Sequence, residues 1–324
     1  MVALTYYLRL FRSTLFQFPQ RFHAPSQPSN LSQKIFLVTG GTSKSNISQQ
    51  LSYHQGNAGI GLETVRELAK RNAEVIIGCR RVEKSEAAVG ALERDLGKKM
   101  RVHVLQLDLS DLASVKMFAE KVQALLDGRK LDVLVHNAGV MLDQYSQSKQ
   151  GHEIHFATNH LGPALLTQQL LPNLATPGGR VVFVNAELHT LAEDATPDFV
   201  FKTGVNAATP PYCRSKLAQV WFAYELQRRH PELIVPIVHP GVIDTDMNNF
   251  DSNSSCQAAE PKAPTQARSD KVRAEGRIWL ECAASPVMMA GLSVHMLRTI
   301  SSPGVVGSAG MHISQTGHNR WLDR

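Results

Sequence analysis

Tyr212 and Lys216 have the residue types and the spacing of a proton-transfer pair. They lie four residues apart within a helical pattern at 211–229, and residues four apart share one face of a helix. Exchanging a proton near neutral pH requires lowering a tyrosine pKa from about 10 to about 7, roughly 4 kcal/mol. One cation about 4 Å away supplies roughly that much at an effective dielectric constant of about 20. The pair could therefore pass a proton to or from a carbonyl or alcohol oxygen.

A glycine-rich turn follows the first predicted strand, 35–39, and precedes a predicted helix, 61–71, and a second strand, 74–79. This is the dinucleotide-binding arrangement, in which glycines admit a pyrophosphate and the helix N-terminus attracts its negative charge. A polar insertion of fifteen residues, 43–57, interrupts the turn. The turn residues expected to bind the cofactor are Gly40, Gly59, Ile60 and Gly61.

The ends of the following strands carry residues that select the cofactor. Arg80 stands where an acidic residue would bind the ribose 2′-hydroxyl of NAD, and an arginine fits a 2′-phosphate instead. We therefore expect NADP(H). Asp108 ends the third strand and could accept a hydrogen bond from an adenine amino group; helix capping is the alternative, and Asp111 suits it better. Asn137 follows the fourth strand, where small residues would let the backbone approach a ribose.

Alternating strand and helix patterns predict an α/β fold: a doubly wound, Rossmann-type parallel sheet in a single domain with helices on both faces. We expect an N-terminal extension at 1–33 and a dinucleotide-binding domain at 34–324. The predicted strands cover 35–39, 74–79, 101–107, 131–136, 180–185 and 234–239. The predicted helices cover 61–71, 82–96, 111–127, 153–174 and 211–229.

The composition favours a globular protein with a small-molecule partner. The net charge of +6 is spread along the chain without a nucleic-acid-binding motif, so no nucleic-acid partner is expected. The four cysteines lack metal-ligand spacing and are interpreted as reduced thiols. The apolar, arginine-containing segment 1–18 is interpreted first as an arm packed on the domain; a membrane-surface helix and a mitochondrial-type presequence are the alternatives. We expect a cytoplasmic protein, with weak membrane association through 1–18 as the alternative.

The order of these motifs resembles the short-chain dehydrogenase/reductase family, in its retinol-dehydrogenase-like branch. The resemblance covers about 34–247. The motifs are TGG and AGIG at 39–41 and 58–61, Cys79-Arg80, Leu107-Asp108-Leu109, His136-Asn-Ala-Gly139, Thr158-Asn-His-Leu-Gly162, Tyr212-x-x-x-Lys216 and His239-Pro-Gly-Val-Ile-Asp-Thr245.

The resemblance implies an oxidoreductase that moves hydride between nicotinamide and a carbonyl or alcohol of a small apolar substrate. It implies Tyr212 as the acid–base group, Lys216 as a ribose ligand and electrostatic aid, and Asn159 as the holder of a proton-relay water with Lys216. It places a mobile substrate lid at 248–270. The residues implied along the nicotinamide carboxamide are Gly241, Ile243 and Thr245. The apolar residues of the Tyr212 helix are interpreted as core or as a homodimer face: Trp221, Phe222 and Leu226.

The chain departs from the family pattern at the catalytic serine, because Ala186 occupies that position after the fifth strand. Loss of such a donor costs about 10² to 10³ in rate. His189 or Thr190 are candidate substitutes, whereas strand alternation argues against Asn185. A catalytically weak or inactive cofactor-binding protein of the same fold is therefore the alternative function. A third interpretation is that 43–57 comes from an unspliced intron, and sequencing the transcript would decide it.

Three histidines with nearly helical spacing, His152, His155 and His160, raise the question of a metal site. No cysteine completes a ligand set, and Glu153 is expected to point elsewhere on the helix. We interpret them as surface or loop histidines and expect no metal.

Overall fold

The computed structural model describes residues 30–40, 60–142, 145–192 and 209–240. The segment 1–18, the insertion at 43–57 and the expected lid at 248–270 lie outside these residues. All described residues belong to one compact unit. The domain boundaries given above therefore stay predictions.

The described strands form one parallel sheet of six strands in the order β3-β2-β1-β4-β5-β6. The prediction of a doubly wound parallel sheet is confirmed. The last strand is shorter than its predicted range of 234–239, because Pro236 has no N–H to donate to a neighbouring strand. The strands are β1 (Ile35–Thr39), β2 (Glu74–Cys79), β3 (Arg101–Gln106), β4 (Val133–His136), β5 (Arg180–Val184) and β6 (Ile237–Val238).

The helices follow the predicted ranges except at 153–174, which is not one continuous helix. That range contains a single helical turn, a π-helical segment at Ala157–Leu161, a regular helix and a 3₁₀ turn at Leu171–Asn173. Within the described ranges, no helix combines the length and the apolar character needed to cross a membrane. The helices are α1 (Ile60–Lys70), α2 (Val82–Leu96), α3 (Leu112–Leu126), α4 (Ile154–Phe156), α5 (Gly162–Leu170) and α6 (Thr209–Arg229).

The core lies on both faces of the sheet, because side chains alternate along each buried strand. On β1, Leu37 packs into one apolar cluster and Val38 into the other. The first cluster includes residues from α3, α5 and α6, such as Phe118 on α3. The second includes Val65 and Leu68 from α1. Burial on both faces explains why the inner strands β1, β4 and β5 are almost continuously apolar, whereas the edge strand β3 is partly exposed and more polar.

The direction in which strands are added to the sheet reverses between β1 and β4. The chain builds β1, β2 and β3 outward in one direction and then returns to place β4 on the other side of β1. In open α/β sheets, ligands bind at the carboxyl ends of the strands at such a switch point. Gly40 follows β1 and Asn137 follows β4, so both lie at this edge.

Candidate active site

Helix α6 places Tyr212 and Lys216 in the protein interior at the carboxyl end of β5. Their exposed fractions are only 5% and 4%. The Lys216 Nζ atom donates to the carbonyl oxygen of Val184, the last residue of β5, at 2.9 Å. It also lies 5.8 Å from the centre of the Tyr212 ring. The predicted pairing on one helix face is therefore present.

The pKa of Tyr212 is shifted in the opposite direction to the one expected from the sequence. Burial raises the pKa of Tyr212 well above its ordinary value, and it lowers the pKa of Lys216 to about 8. The expected lowering of the Tyr212 pKa toward neutrality by Lys216 is wrong for the protein's own groups. Removing the phenol from water disfavours its anion more strongly than an ammonium at this distance favours it.

Asn159 lies in the π-helical segment, a local widening of the helix that is frequent at functional sites. Its Oδ1 accepts from the Val140 N–H at 2.8 Å. Its Nδ2 donates to the Val140 carbonyl and to Ser215 Oγ, both at 3.0 Å. Because both amide protons are used within the protein, a water shared with Lys216 would have to donate to a carbonyl oxygen of Asn159.

Gly139 brings Asn159 and Lys216 together at the end of β4. A Cβ atom on this glycine would lie 3.2 Å from Asn159 Oδ1 and 3.5 Å from Lys216 Nζ. The three residues expected to act on the proton therefore lie within one region, with Tyr212 and Lys216 on α6 and Asn159 facing them.

Two glycines make close backbone contacts at the switch point. Gly40 has a left-handed backbone with φ of +71°, which favours glycine. A Cβ atom on Gly61 would lie 2.0 Å from the Gly40 carbonyl oxygen, so the start of α1 and the end of β1 could not approach as they do. Asn137 donates its amide to the carbonyls of Thr39 and Gly40, at 3.1 and 2.6 Å. Asn137 thus holds the glycine turn in place.

A buried polar connection on α6 was missed by the sequence interpretation. Gln219 donates to the Asn159 carbonyl at 3.2 Å and accepts from Asn185 Nδ2 at 2.9 Å. Asn185 Nδ2 also lies 2.9 Å from the Lys216 carbonyl, and its Oδ1 accepts from the Ala186 N–H. A signal was present in the sequence, since Gln219 lies on the same helix face as Tyr212 and Lys216.

None of the three groups considered as substitutes for the missing serine has a free donor in its present contacts. Asn185 is buried and directed toward α6, where its amide donates to the Lys216 carbonyl. The Thr190 hydroxyl donates to the Glu187 carbonyl at 2.9 Å. His189 Nδ1 donates to the Ala186 carbonyl at 2.7 Å, and burial lowers the pKa of His189, so its other ring nitrogen carries no proton in the neutral form.

The strand-end residues proposed for cofactor selection occupy the same edge of the sheet. Arg80 is exposed directly after β2. Asp108 Oδ1 accepts from both the N–H and the hydroxyl of Ser110, at 2.9 and 2.6 Å. Asp111 caps α3 by accepting from the Ala113 N–H at 3.1 Å, which confirms its predicted role. Ile60 begins α1 and is half-buried. Four further predicted positions lie outside the described residues: Gly59, Gly241, Ile243 and Thr245.

The interpretation of the histidines as surface residues is wrong for His155, which is only 1% exposed. Glu153 does not point elsewhere, because its Oε1 lies 2.5 Å from His155 Nδ1. Periodicity alone could not reveal this, since His155 contacts Leu142 and the Tyr212 ring, which come from other parts of the chain. Among the described residues, no group of three or more potential ligands is placed to hold a metal ion.

Comparison with known proteins identifies relatives of part of this chain. The family model described as short chain dehydrogenase matches residues 55–197. Retinol dehydrogenase 12 of Bos taurus is 42% identical over an alignment of 194 positions that covers 58% of this chain and 59% of that protein. Retinol dehydrogenase 14 of Homo sapiens is 32% identical over an alignment of 243 positions that covers 70% of this chain and 67% of that protein. The chain thus matches about three fifths of the length of the first of these relatives.

Solved structures show the same fold. An uncharacterized protein from Mycobacterium Paratuberculosis superposes with a TM-score of 0.59 at 30% identity, covering 80% of this chain and 78% of that one. A blue fluorescent protein from a metagenomic library, solved in complex with NADPH, gives a TM-score of 0.50 at 27% identity, over 70% and 81% of the two chains. The chain therefore belongs to the short-chain dehydrogenase/reductase family, in its retinol-dehydrogenase-like branch.

Proposed function

We propose that this protein is an NADP(H)-dependent oxidoreductase that transfers hydride between nicotinamide and a carbonyl or alcohol of a small apolar substrate. The observation that carries the proposal is the buried Tyr212 and Lys216 pair at the carboxyl edge of a parallel sheet, facing Asn159. The relatives named for retinol, an apolar alcohol, support the substrate class.

The residues at the switch point fit a dinucleotide. The close contact between Gly61 and Gly40 leaves no side chain where a pyrophosphate would meet the start of α1. Arg80 would contact a 2′-phosphate, and Asp108 retains an oxygen that could accept from an adenine amino group. Gly59, Ile60, Gly241, Ile243 and Thr245 stay proposed cofactor contacts on sequence grounds, and Asn137 would act by holding the glycine turn.

The protein's own groups would control the proton. When bound, the nicotinamide supplies or accepts the hydride. Tyr212 carries its proton at neutral pH, as an ordinary tyrosine does, and burial raises its pKa further. This proton is the one that Tyr212 would donate to a carbonyl oxygen. Lys216 would bind the ribose and favour negative charge on the tyrosine oxygen, and Asn159 would connect the site to a relay water through a carbonyl oxygen.

The alternative function is a catalytically weak or inactive cofactor-binding protein of the same fold. Ala186 motivates it, because none of Asn185, His189 and Thr190 offers the missing donor in its present contacts. Restoring the hydroxyl with Ala186→Ser separates the two functions. A gain in turnover of about 10²- to 10³-fold would indicate a weakened enzyme. Unchanged turnover would support a cofactor-binding protein without catalytic activity. Ala192→Ser, which adds a hydroxyl six residues further on, is the matched control.

Cofactor choice is tested by fluorescence titration with NADPH and NADH. We expect the native protein to prefer NADPH and Arg80→Ala to lose most of that preference. Arg94→Ala removes another exposed arginine, on α2, and should leave the preference unchanged. A protein that binds neither nucleotide would contradict the proposed function altogether.

Membrane-surface binding by 1–18 is proposed only from the sequence. Flotation with anionic vesicles, comparing the full chain with one that begins at residue 19, tests it. Loss of flotation in the shorter chain supports the proposal, whereas equal flotation of both chains, or of neither, contradicts it.

A further inference from the structure

We propose that His155, held in one tautomer by Glu153, is a positioning residue that links the backbone at Leu142 to the Tyr212 ring. The inference rests on the proposed function for its kinetic consequence. Both side chains are buried, with exposed fractions of 1% for His155 and 5% for Glu153.

The hydrogen bonds of His155 determine where its proton lies. Its Nε2 accepts from the Leu142 N–H at 2.8 Å, and a backbone N–H can only donate. Nε2 therefore carries no proton, and Nδ1 donates to Glu153 Oε1 at 2.5 Å. The second Glu153 oxygen accepts from the Phe156 N–H at 2.9 Å, so the carboxylate is held at both oxygens. This arrangement fixes the orientation of the imidazole ring.

His155 and Asn159 act on the same backbone segment. They lie four residues apart, and Asn159 bonds both the N–H and the carbonyl of Val140 while His155 accepts from Leu142. The segment begins directly after Gly139, where a Cβ atom would lie 3.5 Å from Lys216 Nζ. Two side chains thus hold the backbone that follows the glycine facing the catalytic lysine.

His155 also contacts the proposed acid–base residue directly. Its ring meets the Tyr212 ring edge to face, with centroids 6.4 Å apart and planes at 83°. A rotation or shift of the imidazole would therefore release the Leu142 end of this segment and the phenol together, while Asn159 still holds Val140. We expect loss of His155 to lower kcat and to leave the KM for NADPH close to its native value. The reason is that the segment 140–142 follows β4, whereas the glycine turn follows β1 and Arg80 follows β2.

The first test determines the tautomer of His155 in the native protein by ¹⁵N NMR of labelled histidine. The hydrogen bonds of His155 require the tautomer protonated on Nδ1. Glu153→Gln should give a mixture of the Nδ1-protonated and Nε2-protonated tautomers. A native His155 that carries its proton on Nε2, or on both nitrogens, overturns the proposal without reference to activity.

The second test compares His155→Leu with His155→Gln, both carried on Ala186→Ser. Leucine removes the acceptor for the Leu142 N–H, whereas glutamine can present a carbonyl oxygen in its place. We expect kcat to fall about ten- to hundredfold for leucine and to be largely restored for glutamine, since small misplacements of reacting groups cost this much. Leu142 amide exchange should speed up and recover in parallel. His152→Leu, a partly exposed histidine in the same segment, is the control.

A purely structural role for His155 would lower the melting temperature without changing kcat per folded molecule, and that result contradicts the proposal. If Ala186→Ser shows no turnover, the proposed function fails instead. The tautomer and the Leu142 exchange then still decide whether His155 makes the contact.

Discussion

At the level of single residues, burial governs the chemistry of the site. Tyr212 keeps its proton because a buried phenol ionises with difficulty, and Lys216 has a pKa of about 8 because a buried ammonium loses hydration. A protonated tyrosine is the form that donates to a carbonyl oxygen.

The depressed pKa of Lys216 makes a prediction about stability against pH. Between the folded pKa of about 8 and an unfolded value of about 10.5, the unfolded chain binds the proton and the folded protein does not. The free energy of unfolding should therefore rise with pH across this window by the contribution of Lys216. Denaturant unfolding of Lys216→Met should show a smaller rise than the native protein.

Lys99→Met, at a side chain that is 92% exposed, serves as the control and should leave the pH dependence unchanged. Identical pH dependence in the native protein and in Lys216→Met would contradict the burial of a titrating ammonium at this position.

At the level of elements, the contact between the end of β1 and the start of α1 depends on having no side chain at Gly61. A methyl group there would lie 2.0 Å from the Gly40 carbonyl and 2.6 Å from Asn137 Nδ2. We expect Gly61→Ala to destabilise the fold by about 1–3 kcal/mol, as overpacking does. NADPH affinity should fall with it, because α1 must move away from the turn.

Gly90→Ala is the matched control within a neighbouring helix. Its methyl group would meet only the Arg94 guanidinium, at 3.6 Å, so alanine should stabilise α2 by about 0.5–1 kcal/mol. Thermal unfolding and NADPH titration of both variants provide the measurement. A Gly61→Ala protein with native stability and affinity would show that the close contact is unimportant.

The sequence predicted the positions of the strands and helices better than it predicted irregularities such as the π-helical segment. Apolar runs identified the inner strands because a parallel sheet buries both of its faces there, whereas the edge strand β3 is only partly buried and carries polar residues. The π-helical segment at 157–161 was not predictable, since its contacts come from Gln219 and Val140, which are distant in sequence. Likewise, the spacing of Tyr212 and Lys216 predicted their pairing, but only tertiary packing shows that the surroundings raise rather than lower the tyrosine pKa.

At the level of the whole molecule, buried neutral histidines should make the fold sensitive to acid. Burial lowers the pKa of His136 to about 3, and its Nδ1 has no hydrogen-bond partner among the described residues. As pH falls below an ordinary histidine pKa of about 6.5, the unfolded chain binds a proton that the folded protein does not. The free energy of unfolding should fall accordingly, and this loss should continue down to a pH of about 3.

His136→Phe tests this origin of acid sensitivity while keeping an aromatic ring to stack on Phe183. Between about pH 6 and about pH 4, the free energy of unfolding of the variant should fall less steeply than that of the native protein, by about 1.4 kcal/mol per pH unit. His103→Phe, at a half-exposed side chain, is the control. Equal acid sensitivity in the native protein and in His136→Phe would contradict the account.

The oligomeric state of the protein can also be tested by substitution. Trp221 on α6 is 43% exposed, whereas Leu226 lies in the core and Phe222 packs against it. The homodimer face therefore stays a prediction that concerns Trp221 alone. Sedimentation of the native protein and of Trp221→Ser would show whether a dimer forms and depends on this side chain.

The central claim is hydride transfer with Tyr212 as the proton donor, slowed by Ala186. Its most direct measurement is reduction of an apolar carbonyl compound with NADPH carrying deuterium at the transferred position. Ala186→Ser should yield an alcohol that retains the deuterium on carbon, about 10² to 10³ times faster than the native protein. Adding Tyr212→Phe to Ala186→Ser should abolish that gain. An alcohol without deuterium, or turnover that survives Tyr212→Phe, would contradict the account.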